Sequence, residues 1–301
     1  MLSLGFDIGG TAVKAGVVDD EYRIVKKMSM KTPFGDSEKL FSGIAKMAAK
    51  LADGEPIGTI GVTVPGSVSS DGGILDAWNI GLRNIPVKRI IEASVKADRV
   101  VVKNDADAAG DAELAIGSLK GVNTGLLITL GTGVGGCLIL NGAVFHGGLN
   151  RGTELGHAMI DRGGIKCGCG HHGCIETLCS ATALKRLAEI AVDEGRGMIA
   201  QKAAAGEKAD AKLLIDCAKA GDKFASRLFE EYVDSLADAI ASFVNVFDPE
   251  VIALGGGVSE AGDFLLDPLR RKVPGKCFFG SCGSIVKAAA GNDAGVIGSV
   301  I

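Results

Sequence analysis

The sequence predicts an α/β protein made of two similar lobes. Strand-like and helix-like segments alternate along the chain, which is the pattern of α/β proteins. The strand, glycine turn and strand of residues 2–18 recur at 125–145, so that Gly9 aligns with Gly131. The length of 301 residues fits two domains of about 100–200 residues each. We therefore expect an internal duplication in which each lobe presents one glycine turn to a shared cleft.

The first part of the chain supplies the elements of one lobe. Residues 2–8 and 12–18 predict a hairpin over a Gly-Gly-Thr turn, and a further strand follows near 22–30. The segment 37–52 has apolar residues at helical spacing and opens with Ser37. The next predicted elements are strands at 57–64 and 99–103 and helices near 86–96 and at 106–117.

The second part repeats the alternation. Residues 125–145 read as strand, Gly-Thr-Gly turn and strand. A long helix is expected at 226–247, where six apolar side chains form one stripe: Phe229, Val233, Leu236, Ile240, Phe243 and Phe247. The helix ends before Pro249, and a strand with a third glycine turn follows.

Charge and composition exclude several classes of protein. The net charge is −4, from 32 basic and 36 acidic residues, so the chain lacks the basic surface that binds nucleic acid or anionic membranes. It has no run of 18 apolar residues, and its first residues do not resemble a signal peptide. Eight cysteines in such a chain are expected to be thiols or metal ligands, which indicates a cytoplasmic protein.

The glycines are concentrated in turns that follow strands. There are 45 of them, about twice the usual share, and three turns stand out: Gly9-Gly10-Thr11, Gly131-Thr132-Gly133 and Gly255-Gly256-Gly257. Glycine lets backbone N–H groups approach anionic oxygens, and threonine adds a hydroxyl donor. The first two turns match neither the P-loop nor the dinucleotide-binding pattern. These glycines could serve only hairpins and bulges, but three such turns in one chain favour phosphate binding, with Lys14 as an added charge.

Asp105 is the candidate general base. It follows the strand at 99–103, and carboxylates at the carboxyl ends of strands in α/β proteins face the ligand crevice. Asn104 beside it can both donate to and accept from a polyol. The alternative is that Asp105 or Asp107 only caps the following helix.

A cysteine-rich loop predicts a metal centre. Cys167, Cys169 and Cys174 lie on a glycine-rich segment, ten residues after His157. Three thiolates and one imidazole form a closed tetrahedral zinc set, which is structural. From composition alone, His171 or His172 could replace His157 as the fourth ligand. The five remaining cysteines are expected to pack in the core.

These motifs resemble those of the ROK family (repressors, open reading frames and sugar kinases) over essentially the whole chain. The matching segments are Asp7-x-Gly-Gly-Thr11 with Lys14, Val64-Pro65-Gly66, Asn104-Asp105-Ala106, Leu130 to Gly136, Glu154-Leu-Gly-His157, Cys167 to Glu176, and Gly255 to Ser259. Three positions differ from the family pattern: Cys137 where glycine is commoner, Asp107 where asparagine is usual, and Ala158 where methionine usually follows the histidine.

The resemblance implies an actin-like ATPase (ribonuclease H-like) fold, with two lobes around a central cleft. We expect an N-terminal lobe at 1–118, completed by 289–301, and a larger lobe at 119–288 that carries the zinc loop. It further implies that Asp105 is the catalytic base and that His157, Cys167, Cys169 and Cys174 hold the zinc.

The resemblance also implies two sets of substrate contacts. ATP and its phosphates are expected at Asp7, Gly9, Gly10, Thr11, Lys14, Gly131, Thr132, Gly133, Gly255, Gly256 and Gly257, with Mg²⁺ near Asp7. Sugar hydroxyls are expected at Gly66, Asn79, Asn104, Asp105, Glu154, His157 and Glu176.

The activity implied is that of an ATP-dependent hexose kinase, a glucokinase acting on the C6 hydroxyl. The alternatives are a kinase for fructose, mannose, allose, N-acetylglucosamine or N-acetylmannosamine, and a non-catalytic sugar-responsive regulator. A repressor is disfavoured because the Asp7 strand begins at residue 2 and leaves no room for a DNA-binding segment. The expected partners are sugar, ATP and a second copy of the chain in a homodimer, without nucleic acid or membrane.

Overall fold

Three β-sheets and their flanking helices make up the fold of the residues described, 1–148 and 152–301, in a computed structural model. In chain order the strands are β1 (Leu2–Ile8), β2 (Ala12–Val18), β3 (Ile24–Lys31), β4 (Ile57–Val64), β5 (Ser67–Val68), β6 (Ile74–Ala77), β7 (Leu82–Ile85), β8 (Ala97–Asn104), β9 (Gly125–Leu130), β10 (Val134–Leu140), β11 (Ala143–Val144), β12 (Val251–Gly255) and β13 (Ser284–Lys287). The helices are α1 (Ser37–Ala52), α2 (Val87–Ser94), α3 (Asp105–Ile116), α4 (Glu176–Cys179), α5 (Ala181–Asp193), α6 (Gly197–Ala204), α7 (Ala211–Lys219), α8 (Lys223–Phe247), α9 (Asp263–Lys276) and α10 (Ala294–Ser299).

The two larger sheets have the same strand order. The first is β3-β2-β1-β4-β8, in which β1 pairs antiparallel with β2 and parallel with β4. The second is β11-β10-β9-β12-β13, in which β9 lies next to β10 and pairs parallel with β12. Each sheet therefore repeats one design, a hairpin over a glycine turn followed by parallel strands, and the predicted duplication is confirmed at the level of topology.

Contacts within the chain divide it into two compact units. Unit 1 comprises 1–121, 137–153 and 289–301, and unit 2 comprises 122–136 and 154–288. The predicted lobes, 1–118 with 289–301 and 119–288, differ from these units chiefly at 137–153, which packs with unit 1.

Helix α1 shows why the sequence pattern locates elements in unit 1. It spans the residues predicted, and its apolar stripe of Leu40, Ile44 and Leu51 is buried in the core. The N-cap is Asp36, whose carboxylate accepts the N–H of Lys39 at 3.0 Å. Capping of this kind satisfies backbone donors that the helix leaves free.

The carboxyl-terminal segment packs closely on the first sheet. A Cβ atom at Gly61 on β4 would lie 2.1 Å from the backbone oxygen of Ser299 on α10. Only glycine permits this approach. The close packing holds α10 against β4, the strand that pairs with β1 and its Asp7.

The predicted long helix at 226–247 is confirmed as α8, which begins three residues earlier. The small sheet of β5, β6 and β7 was not predicted. No helix in the described part of the chain is long and apolar enough to span a membrane.

Candidate active site and metal centre

The first glycine turn links β1 to β2 in unit 1. The N–H of Gly9 donates to Ala12 O at 3.0 Å, and the hydroxyl of Thr32 donates to Gly9 O at 2.6 Å. These bonds fix the backbone of the turn. A Cβ atom at Gly10 would lie 3.3 Å from the backbone oxygen of Asn79, so the turn abuts the segment that carries this predicted sugar contact.

Asp7 and Lys14 lie side by side next to this turn. The Lys14 Nζ is 3.8 Å from Asp7 Oδ2 and donates to the backbone oxygen of Asn292 at 3.1 Å. The other Asp7 oxygen accepts the Thr63 hydroxyl at 2.9 Å. The arrangement places one anchored carboxylate and one ammonium beside a turn predicted to bind phosphate.

Asn104 caps the helix that begins with Asp105. The Asn104 Oδ1 accepts the N–H groups of Ala106 and Asp107 at 2.8 and 3.1 Å. Asp105 and Asp107 are the first and third residues of α3, so neither is its N-cap. The alternative that one of them serves as that cap is therefore wrong.

The same amide also contacts a second predicted sugar residue. Asn104 Nδ2 donates to Gly66 O at 3.0 Å, which leaves one amide hydrogen for another acceptor. Gly66 has φ of +124°, a conformation that favours glycine. Asp105 is exposed, and its Oδ1 accepts the N–H of Ala106 at 2.9 Å.

Asn79 lies in the 3-10 turn Trp78–Ile80. Trp78, the chain's only tryptophan, has 76% of its surface exposed, and the guanidinium of Arg83 lies 5.6 Å from its ring centroid. The 3-10 turn is held by the N–H of Gly35, which donates to Ile80 O at 2.8 Å.

Asp107 pairs with His146. The Asp107 side chain is only 8% exposed and the His146 side chain is 48% exposed, and Oδ2 of Asp107 is 2.9 Å from Nδ1 of His146. The other oxygen, Oδ1, has no hydrogen-bond partner among the described residues. Burial raises the pKa of the Asp107 carboxyl above its ordinary value of 3.8, and the contact with His146 opposes that rise. The pair lines a cavity of about 400 Å³ in unit 1, which Asn104 also lines.

The predicted metal ligands come together in unit 2. Among the residues described, His157, Cys167, Cys169 and Cys174 form one group whose ligand atoms lie within 4.8 Å of one another. Cys169 Sγ is 3.6 Å from Cys174 Sγ, and Cys167 Sγ is 3.7 Å from His157 Nδ1. A tetrahedral zinc site has S···S and S···N separations of about 3.8 and about 3.6 Å. The donor set and its spacing therefore fit zinc.

The fourth position of this group belongs to His157. His171 and His172 are exposed, and His172 Nδ1 lies 3.0 Å from Gly164 O. Burial raises the pKa of the Cys167 thiol to about 12. A cation would bring such a thiol to the thiolate form that binds metal.

The two other predicted sugar contacts lie beside the metal group. Glu154 occupies the N-cap position of the 3-10 turn Leu155–His157, and Glu176 is the first residue of α4. The carboxylate of Glu176 accepts the N–H of Val134 at 3.1 Å. Unit 2 therefore holds Glu154, His157 and Glu176, and unit 1 holds Gly66, Asn79, Asn104 and Asp105.

The second and third glycine turns border one cavity of about 650 Å³ in unit 2. Thr132 lines it from the second turn, and Gly257 lines it from the third. Apolar side chains such as Ile215 and Val258 share the wall with carboxylates and lysines. A cavity of this size with both apolar and charged walls suits a nucleotide.

Sequence reasoning missed the other residues of this wall. They are contributed mainly by α5 and α7 and include Thr182, Lys185, Asp210, Lys212, Asp216 and Lys219. No motif marks them, because they come from separate helices and only the fold brings them together.

Comparisons with known proteins agree with these motifs. The model of the ROK family matches residues 3–301. A glucokinase of Halalkalibacterium halodurans is 38% identical, over 98% of this chain and 92% of the relative. An N-acetyl-D-glucosamine kinase of Vibrio cholerae is 29% identical, over 98% of this chain and 97% of the relative. The solved structure of a ROK family glucokinase from Streptomyces griseus, in complex with glucose and AMPPNP, is 32% identical, with a TM-score of 0.87 over 100% of this chain and 98% of that one.

Proposed function

The chain belongs to the ROK family and has its actin-like ATPase fold, and from this premise we propose that it is an ATP-dependent hexose kinase that phosphorylates glucose. The observation that carries the proposal is the 650 Å³ cavity of unit 2, which is bordered by two of the three predicted phosphate-binding turns. The similarity to glucokinases over nearly the whole chain favours glucose as the sugar.

The nucleotide is proposed to occupy this cavity. Ile215 and Val258 offer apolar surface to the base, and Lys185, Lys212 and Lys219 supply positive charge. The N–H groups of Thr132 and Gly133 and the Thr132 hydroxyl would bind phosphate oxygens. In unit 1, the turn 9–11 and Lys14 are proposed as further phosphate contacts.

Asp7 is proposed as the residue near which Mg²⁺ binds. A carboxylate oxygen is the type of ligand that Mg²⁺ prefers, and one Asp7 oxygen is anchored by Thr63. The ion, when bound, neutralises charge on the transferred phosphoryl group.

Asp105 is proposed as the general base. Its carboxylate takes the proton from the C6 hydroxyl as that oxygen attacks the γ-phosphorus, the bond from phosphorus to the bridging oxygen breaks, and ADP leaves. Asn104 caps the helix that starts at Asp105 and so fixes the backbone beneath the base. Gly66, Asn79, Asn104, Glu154, His157 and Glu176 are proposed to bind the sugar hydroxyls.

We propose zinc as the metal of the group formed by His157 and the three loop cysteines. With four protein ligands the site is closed, so the metal would hold the loop in place and contribute no chemical step. We also propose a cytoplasmic homodimer, and the eight free cysteines suit a reducing compartment. Sedimentation that finds only monomer at micromolar concentration would contradict the dimer.

A coupled assay of ATP consumption across hexoses and N-acetylhexosamines tests the activity. We expect the highest kcat/KM with glucose. A higher value with an N-acetylhexosamine would assign the chain to the other group of relatives, and no turnover with any sugar would favour a sugar-responsive regulator.

A further inference from the structure

We propose that Glu176 is a positioning residue that couples the metal loop to the glycine turn at 131–133, so that metal occupancy sets the affinity for nucleotide. The proposal rests on the proposed kinase function, because it takes the cavity of unit 2 as the nucleotide site. It adds a role for Glu176 besides its expected contact with the sugar.

One carboxylate lies between the metal group and the turn. Glu176 Oε2 accepts the N–H of Val134, immediately after the turn's Gly133, at 3.1 Å. Its Oε1 is 3.6 Å from Cys167 Sγ, a predicted metal ligand. Because Val134 is the first residue of β10, this bond ties the end of the turn to the start of α4.

The Glu176 carboxylate packs closely against the glycine turn. A Cβ atom at Gly133 would lie 2.1 Å from Glu176 Oε2. Val134 also contacts Gly156, where a Cβ atom would lie 2.0 Å from Val134 O. A side chain at 133 would displace the Glu176 carboxylate, and one at 156 would force the backbone away from Val134, so both contacts depend on glycine.

Both contacts lie within two residues of a metal ligand. Glu176 follows Cys174 by two residues, and Gly156 immediately precedes His157. Metal bound by Cys174 and His157 would therefore fix the two backbone segments that hold Val134. Without the metal, both segments would be free to shift away from the turn.

The glycine turn at 131–133 forms part of the cavity proposed to bind nucleotide. Thr132 lines the cavity, and its backbone oxygen accepts the Thr182 hydroxyl at 2.6 Å. Within the turn, the N–H of Gly131 donates to Gly133 O at 3.0 Å. A displacement of Val134 would therefore move the backbone N–H groups proposed to bind phosphate.

The test measures AMPPNP binding with Mg²⁺ and without sugar, by isothermal titration calorimetry. Glu176→Ala should weaken binding by about tenfold, equivalent to about 1.4 kcal/mol. Glu176→Gln should bind within about twofold of wild type, since its amide oxygen still accepts the N–H of Val134. Glu250→Ala is the matched control, because Glu250 accepts the N–H of Thr124 at the other end of β9 and should leave the affinity unchanged.

The metal arm uses Cys169→Ser, with zinc content measured on the same samples. This variant should lose zinc and weaken AMPPNP binding. In the Glu176→Ala background it should cause a smaller loss than in wild type, because both changes remove the Glu176 contact and only metal loss also releases the Gly156 contact. Equal nucleotide affinity in zinc-loaded wild type and zinc-free Cys169→Ser would overturn the coupling.

Further outcomes separate this inference from the function beneath it. If wild type and Glu176→Ala bind AMPPNP equally well, the positioning role of Glu176 is overturned and the proposed function is not. If wild type does not bind AMPPNP, both the proposed function and this inference are overturned. If Glu176→Ala does not fold, Glu176→Asp replaces it, because aspartate keeps the charge but its shorter side chain withdraws the oxygen from Val134. Glu176→Asp should then bind AMPPNP more weakly than wild type, and unchanged affinity would overturn the positioning role.

Discussion

Removing the imidazole of His146 should destabilise the protein through the carboxylate of Asp107. That side chain is 8% exposed, Oδ1 has no partner among the described residues, and Oδ2 has His146. His146→Ala would leave both oxygens without a partner. An unsatisfied buried polar group costs about 1–3 kcal/mol, and we expect a loss of free energy of unfolding in that range at pH 7.

Neutralising the carboxylate should remove most of this cost. Asp107→Asn carries no charge that needs a partner, so His146→Ala should cost less than about 1 kcal/mol in that background. Urea unfolding at 25 °C, followed by circular dichroism, gives the four free energies of this cycle. Lys39→Ala, which removes the ion-pair partner of the more exposed Asp36 in the same unit, is the control and should change stability by less than about 0.5 kcal/mol.

The pH dependence of stability tests independently whether the charged Asp107 carboxylate destabilises the folded protein. Because burial raises the pKa of Asp107 in the folded protein, its contribution to stability is present below the ordinary value of 3.8 and is lost as the pH rises through the raised pKa. Asp107→Asn should therefore be more stable than wild type at pH 7, and the gain should vanish as the pH approaches 3.8. An equal cost of His146→Ala in both backgrounds, or a gain that does not depend on pH, would refute this reasoning.

Three further changes test packing and metal binding. A Cβ atom at Gly110 would lie 2.3 Å from Cys137 Sγ, so Gly110→Ala should lower the free energy of unfolding by about 1–3 kcal/mol. Adding Cys137→Gly should recover the thermal midpoint, whereas a Gly110→Ala protein as stable as wild type would contradict this contact. Glu113 is buried and accepts the N–H of Ala290 at 2.7 Å, so Glu113→Ala should speed amide hydrogen exchange in 289–301, and unchanged exchange there would show that the bond does not hold the segment. Cys169→Ser should lower zinc content, melting temperature and sugar affinity together, and full zinc content with normal sugar affinity would make this thiol incidental.

Periodic patterns explain why much of the fold could be predicted. The strands at 2–8 and 12–18 and the helix at 37–52 have the predicted bounds, because the two apolar strands flank a glycine turn and the helix has an apolar stripe that follows a capping residue. The sheet of β5, β6 and β7 has strands of only two to four residues, which are too short to show a period.

The metal centre could be predicted because its ligands are close in the chain and chemically distinctive. Three cysteines within eight residues identify the loop, and the family resemblance identifies His157. The pair of Asp107 and His146 is different, since 39 residues separate its members. Nothing in the sequence indicates which carboxylate a distant histidine will meet.

The same limit applies to the turn at 131–133. Its glycines were predicted to serve a ligand, but Glu176 approaches from 42 residues along the chain. The need for glycine at position 133 comes from this carboxylate, which only the folded chain brings close.

The most direct test of the proposed function is the turnover of Asp105→Asn with glucose and ATP, measured beside glucose binding. Asparagine keeps the shape of the side chain but cannot accept the proton of the C6 hydroxyl. We predict that kcat falls by about 10²–10⁴, the range for loss of a general base, while the dissociation constant for glucose stays within about threefold of wild type, a change below 1 kcal/mol. Turnover close to that of wild type in a folded, glucose-binding Asp105→Asn protein would contradict the assignment of Asp105 as the base.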